Sequence, residues 1–187
     1  MRIITGSARG VALATLAGDH TRPTAERTKE AVFSMLQFEI EGRRVLDLFS
    51  GSGQMALEAL SRGADFAVMV DKSREAIAVI EKNATKTKLK DRCRIVCEDS
   101  LSYLKKQKDC FDIVWLDPPY DSDLIKKSLA LLIEGGFLKP TSVIVCESRE
   151  EDVFDGDEGL KNSFELIKHN KYGIAHISIL KPKSDNI

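Results

Sequence analysis

Arg44-Val45-Leu46-Asp47-Leu48-Phe49-Ser50-Gly51-Ser52-Gly53 (residues 44–53) joins a β-rich apolar run to a glycine-rich turn. The following stretch, GQMALEALSRG, takes up helical spacing and ends at Gly63. An apolar strand (44–49) that passes through a tight turn into a helix is the first half of a βα unit. The pattern then repeats. FAVMVD (66–71) is a strand and SREAIAVIEKNATK (73–86) a helix with Ser73 as N-cap. CRIVCED (93–99) leads into SLSYLKKQ, FDIVWLD (111–117) into LIKKSLALLIEGG, and SVIVCES (142–148) follows a loop containing Pro140. Near-continuous apolar strands separated by helices imply an α/β fold with a mainly parallel sheet covered on both faces.

The two ends of the chain depart from that alternation. FELIKHN (164–170) and IAHISIL (174–180), joined by Lys171-Tyr172-Gly173, read as a C-terminal antiparallel hairpin closing one edge. Ahead of the core, residues 1–16 are β-like, and a helix beginning near Thr24 carries Val32, Phe33 and Leu36 on one apolar stripe. The expectation is one domain over 1–187, with 1–20 a small N-terminal β extension.

Composition is that of an ordinary globular protein, with 43% hydrophobic and 30% charged residues and a net charge of -1. No apolar run reaches the ~18 residues of a membrane span, and MRIITGSARG lacks the apolar core of a signal peptide. A cytoplasmic monomer is expected, without membrane or metal. Histidines 20, 169 and 176 are scattered, and Cys93, Cys97, Cys110 and Cys146 form no C-x-x-C pair. Buried reduced thiols are the expectation for the cysteines. Residues 82–94 set six basic side chains against Asp91 alone, and residues 1–29 hold Arg2, Arg9, Arg22, Arg27 and Lys29 against Asp19 and Glu26. Such clusters suit phosphates, and equally an ordinary solvated surface.

Four strand ends carry the chemistry, because ligands of open α/β sheets bind at the carboxyl edge. Gly51 and Gly53 let a ligand approach the backbone. Asp71, 20 residues after Gly51, can accept the hydrogen bonds of a ribose diol. The loop also fits the dinucleotide pattern G-x-G-x-x-A. Asp47 at its mouth, however, would repel a pyrophosphate, whereas the ammonium and sulfonium of S-adenosylmethionine favour a nearby carboxylate. Asp99, beside Ser100, is placed either to meet an adenine amine or to cap a helix. Asp117-Pro118-Pro119-Tyr120 follows the fourth strand. A base amine is a poor nucleophile until acceptors hold it pyramidal. The Asp117 carboxylate and the Pro118 carbonyl can do this, while Tyr120 offers a face for stacking a base lifted from its helix. Thr21-Arg22-Pro23-Thr24 opens a helix with Arg27 one turn further on. Pro23 and Thr24 suit a helix start, and Arg22 and Arg27 are candidates to contact RNA phosphate or to close over the cofactor.

The succession MRIITG, TRPTAERTKEAVF, VLDLFSGSGQMALEALSRGA, a ribose-binding acid, FDIVWLDPPY and KYG resembles the RsmD-type 16S rRNA guanine-N(2) methyltransferases along nearly the whole chain. The resemblance implies a Rossmann-like class I methyltransferase fold, S-adenosylmethionine as donor, and a guanine target in small-subunit rRNA or the pre-assembled small ribosomal subunit. It implies cofactor contacts for Phe49, Gly51, Gly53, Asp71 and Asp99, and base contacts for Asp117, Pro118 and Tyr120. Asp71-Lys72-Ser73 stands where members often begin with glutamate, and the acidic stretch 149–162 has no counterpart in the pattern. Adenine amine methylation of DNA or RNA, nicotinamide-dependent oxidation and a non-catalytic RNA-binding assembly role are the alternatives.

Overall fold

A computed structural model describes residues 1–16, 23–119 and 123–184, leaving aside the side chains of residues 23–27. The chain folds as two compact units, residues 1–98 and 99–187. In the first unit, α1 (Pro23–Met35) precedes β1 (Arg44–Asp47), α2 (Gln54–Ser61), β2 (Phe66–Asp71), α3 (Arg74–Lys86) and β3 (Cys93–Cys97). The three strands are parallel in the order β3-β2-β1. Strand β2 is buried from Ala67 to Val70, and α2 contributes Ala56, Leu57, Ala59 and Leu60. This burial on both strand faces is why the run lacks polar alternation.

The second unit holds α4 (Ser100–Lys106), β4 (Phe111–Leu116), α5 (Leu124–Glu134), β5 (Leu138–Ser148), α6 (Glu158–Ser163), β6 (Phe164–Tyr172) and β7 (Ala175–Pro182). Its strands run β4-β5-β7-β6, with β4 and β5 parallel and β7 antiparallel to both neighbours. The fold is therefore α/β and mostly parallel, ending in an antiparallel hairpin. Strand β7 is almost wholly buried, whereas β6 is exposed along most of its length. A register shift between Leu166 and Lys168 and the exposed lysines 168 and 171 blunt that edge.

Several boundaries differ from expectation. The first strand stops at Asp47 rather than Phe49, because Leu48 and Phe49 already turn into the glycine loop. Pro140 lies inside β5 rather than in a loop. The pairing shifts from Phe111↔Leu138 to Ile113↔Val143, so the extra residues bulge out and no ladder donor is needed from the proline. Ser142 stitches this bulge, accepting from Lys139 N at 2.8 Å and donating to Phe111 O at 2.6 Å. The hairpin turns at Gly173-Ile174, not over 171–173. The acidic stretch contains helix α6, capped by Asp157, which accepts from Leu160 N at 3.0 Å. Of the four cysteines only Cys146 is buried, while Cys97 and Cys110 are exposed, against the expectation of buried thiols. Cys97 ends β3, which pairs with β2 alone, and Cys110 precedes β4.

The N-terminal residues fold back as a short hairpin through an Arg2↔Ala12 bridge. Glu58 of α2, fully buried, holds this hairpin. Its carboxylate accepts from Ile4 N at 2.8 Å and Thr5 N at 3.1 Å, and pairs with Lys29 of α1 at 3.3 Å and Arg62 at 2.7 Å. Arg62 also lies over the Phe33 ring at 4.7 Å. Removing the anion would leave Lys29, 3% exposed, as a buried cation without it. Glu58→Ala is therefore expected to lower stability by about 3–5 kcal/mol, and Glu58→Gln by less, as read by urea unfolding. Wild-type stability in the alanine variant would refute the cluster's role.

Candidate functional site

The first unit assembles its candidate residues around the loop after β1. Asp47 is 4% exposed, and burial raises its carboxyl to about 7 despite hydrogen bonds from the Ala56 and Phe49 amides and the Ser50 hydroxyl. Neighbouring Asp71 pushes in the same direction as burial. The single Ser50 hydroxyl proton is shared between that carboxyl and the Asp47 carbonyl, 2.7 Å from Oγ, and Gly53 N closes the turn onto Ser50 O at 2.7 Å. Phe49 is half-buried beside them.

The two glycines serve different needs. Gly51 has φ 52°, and a Cβ built there would meet nothing within 4 Å, so its side is open to an approaching group. Gly53, at φ 76°, opens α2 in the left-handed region. A Cβ there would meet Met69 Sδ at 3.0 Å and Ile80 at 3.2 Å, so the left-handed backbone favours glycine and crowding adds to that preference.

Asp71 ends β2 and is half-buried. Its Oδ2 accepts from Gly51 N at 2.9 Å and its Oδ1 from Ser73 N at 2.8 Å. The carboxylate thus already ties the loop to the start of α3, and any diol must use the remaining lone pairs. This acceptor-rich edge beside an open glycine backbone suits a cationic ligand with vicinal hydroxyls.

Sequence reasoning missed Asn83. It is fully buried on α3, in the stripe formed with Ala76, Ile80 and Ala84. Its Oδ1 accepts from Ala14 N at 2.7 Å, and its Nδ2 donates to Ala14 O at 3.0 Å and to Ser52 O at 2.9 Å. One amide thereby fastens both the N-terminal segment and the glycine loop. The available signal was a polar residue at a helical position otherwise reserved for apolar ones.

The second unit carries the other candidates. Asp99 caps α4, accepting from Ser102 N at 2.9 Å, and Ser100 is buried in the first turn. The capping alternative for Asp99 is thus realised in the geometry. After the fully buried strand β4, Asp117 is exposed, Pro118 buried and Pro119 exposed. Pro118 and Pro119 line a cavity of about 260 Å³ with Glu147, Ser148, Arg149 and Val153. Glu147 and Ser148, at the end of β5, were not singled out by sequence. Tyr120 and Arg22 lie outside the described residues, and Arg27 falls within α1 among those whose side chains are left aside. Among the described residues no group of His, Cys, Asp and Glu could hold a metal ion, and no helix is long and apolar enough to cross a membrane.

Asn83→Ala would remove the partner of the buried Ser52 carbonyl and of the half-buried Ala14 amide and carbonyl. The buried carbonyl is expected to cost about 1–3 kcal/mol, and the half-buried pair less. Amide exchange at Gly51 and Gly53 should accelerate along with the fall in urea midpoint, and Asn83→Asp, which keeps the acceptor, should lie between. Unaltered exchange in the loop would show that Asn83 does not hold it.

The comparisons with known proteins fall along the whole chain. The family described as Conserved hypothetical protein 95 matches residues 1–181. The Ribosomal RNA small subunit methyltransferase D of Haemophilus influenzae is 34% identical over 178 residues, covering 94% of this chain and 90% of that one. The YlbH protein of Bacillus subtilis is 33% identical over 186 residues, 98% of this chain and 100% of its own. The solved structure of the yhhF protein of Escherichia coli superposes with a TM-score of 0.84 at 30% identity, covering 98% of each chain. With a family match from residue 1 to 181 and relatives at this identity, the chain belongs to the Conserved hypothetical protein 95 family, the RsmD-type family that its motifs resemble.

Proposed function

We propose that this chain is an S-adenosylmethionine-dependent rRNA methyltransferase that modifies the exocyclic amine of a guanine in small-subunit rRNA. The family relationship supports the rRNA methyltransferase activity and its cofactor, since a relative covering nearly the whole chain is a small-subunit rRNA methyltransferase. The single observation that carries the amine chemistry is the Asp117-Pro118-Pro119 segment, where an exposed carboxylate follows a buried strand and the prolines border a cavity. The reading treats 1–187 as one methyltransferase domain with 1–20 as its β extension, acting as a cytoplasmic monomer on rRNA or the pre-assembled small subunit.

When bound, S-adenosylmethionine supplies a methyl group on a sulfonium, which departs as a neutral thioether. The residues around the glycine loop suit its binding. Asp47 answers the ammonium, Asp71 accepts from the ribose hydroxyls, and Phe49, Gly51 and Gly53 border it. Asp99 and Ser100 answer the adenine. Asp117 accepts one N–H of the target amine and the Pro118 carbonyl the other, which aims the nitrogen lone pair. Tyr120 stacks on the base, and Arg22 and Arg27 contact phosphate. As the N–C bond forms, positive charge grows on the amine nitrogen, and the Asp117 carboxylate stabilises it more than it stabilises the ground state. The S–C bond breaks in the same step as the N–C bond forms, and the surplus amine proton then passes to solvent by way of the Asp117 carboxylate that accepts its N–H.

Two experiments follow. Asp117→Ala should slow single-turnover methylation of unmodified small-subunit particles by about 10²–10³ while leaving cofactor affinity nearly intact. Asp117→Asn should be milder, and near-normal turnover in the alanine variant would refute the motif's role. The raised carboxyl of Asp47 gives a pH signature. Because its value near 7 exceeds the unfolded 3.8, Asp47 favours folding below about pH 4. That contribution is lost as pH rises through 7. A cationic ligand favours the ionised form, so cofactor affinity by calorimetry should rise between pH 6 and 8. Asp47→Asn should flatten that rise relative to wild type with the same ligand, and should remove the stability loss. Parallel affinity profiles for the two proteins would take Asp47 out of the cofactor site.

A further inference from the structure

The helix α3 begins beside Asp71 and ends at the opposite edge of the strands it crosses. Ala67 and Cys93 pair at one end of β2 and β3, Asp71 and Cys97 at the other. Four strand steps separate these levels, about 13 Å, and the helix itself spans about 20 Å. Residues 86–94 therefore lie at the edge remote from Gly51 and Asp71.

That remote turn is built rigidly. Thr87 Oγ1 donates to Asn83 O at 2.8 Å and Ala84 O at 3.1 Å, capping α3. Leu89 is buried, and its amide donates to Ala84 O at 3.0 Å. A 3-10 turn over Lys90–Arg92 follows, and Arg92 donates to the carbonyls of Ala64 and Asp65. On this frame Lys82, Lys86, Lys88, Lys90 and Arg94 are all exposed. Lys82 and Lys86 share a helix face, one turn apart. Among the described residues Lys82, Lys86, Lys88 and Lys90 form no ion pair, and Asp91 is the one acid between residues 82 and 94. Lys88 holds φ 61°. A glycine or asparagine takes that conformation at lower cost, so a lysine there keeps its side chain against the backbone preference.

We propose that this turn is a second RNA-binding surface, taking the phosphate backbone of the rRNA at a point remote from the methylated base. A chain of net charge -1 gains little from bulk attraction to RNA, so affinity must come from local, uncompensated cations. Here four such lysines project from a braced turn with Arg94 beside them, and each phosphate they neutralise releases counterions. An anchor away from the chemistry would hold the substrate without occupying the methyl-transfer centre. The inference rests on the rRNA reading above.

The test uses the full chain with Lys82, Lys86, Lys88 and Lys90 all changed to glutamine, beside a variant with all four changed to arginine. The probe is a small-subunit rRNA fragment, titrated across salt concentrations. The glutamine variant should bind about tenfold or more weakly. Its slope of log affinity against log salt should flatten by about 0.9 for each duplex phosphate that is no longer neutralised, and by less for single strands. The arginine variant should bind as wild type does, and S-adenosylmethionine binding should be unchanged in both. Equal RNA affinity and slope in the glutamine variant would overturn the surface, as would loss of binding in the arginine variant. Normal binding of naked rRNA with failed methylation of assembled particles would assign the turn to a protein partner and overturn it too. Wild-type protein that binds no rRNA would instead refute the proposed function on which the inference rests.

Discussion

A backbone amide or carbonyl buried without a partner costs more than most single contacts return, and the first unit is organised around that constraint. Two polar side chains meet it. Glu58 accepts the amides of Ile4 and Thr5, and Asn83 satisfies Ala14 on both sides while also reaching Ser52. Together with Ser61, which binds the amide of Ala8 and the carbonyl of Thr5, they hold the N-terminal hairpin on α2 and α3. Asn83 also tethers the glycine loop at Ser52, as Asp71 does at Gly51. Burial of a carboxylate is itself expensive. Lys29 and Arg62 offset that cost, so α1 is drawn into the same cluster.

The loop that results is held from three directions. Asp71 pulls on Gly51, Asn83 on Ser52, and the Gly53 amide closes the turn onto the Ser50 carbonyl. Such a loop loses little conformational entropy when a ligand arrives. Burial beside this loop, with Asp71 adding its charge, raises the Asp47 carboxyl to about 7. A cation placed beside it would recover the ionised form, a coupling that an exposed carboxylate would lack.

The second unit uses rigidity differently. Six consecutive buried residues in β4 end abruptly at an exposed Asp117, and Pro118 re-enters the interior one residue later. The two prolines that follow restrict the backbone of Asp117 and of Pro118 to extended conformations, so the segment after β4 stays stiff. At the far edge of this unit, the bulged and lysine-bearing β6 leaves β7 as an interior strand.

The sequence by itself determined the alternation of strands and helices, because burial on both faces of β2 and β4 leaves continuous apolar runs that need no partner to be recognised. It also determined the glycine turn, the Ser73 cap and the Asp117-Pro118-Pro119 segment, all of which are local chemistry. Pro140 misled it, since a proline reads as a breaker until the facing strand shows a bulge that spares the missing donor. Helix α6 was hidden by its shortness and by the acidic run ahead of it, its one buried residue being Leu160. Tertiary structure alone decided that Asn83 and Glu58 organise the first unit, with partners 69 and 54 residues away. It alone separated Gly51, where a side chain would meet open space, from Gly53, where one would meet Met69 and Ile80. Those decisions depend on which distant backbone groups come within about 3 Å of a side chain, a quantity no local pattern of residues encodes.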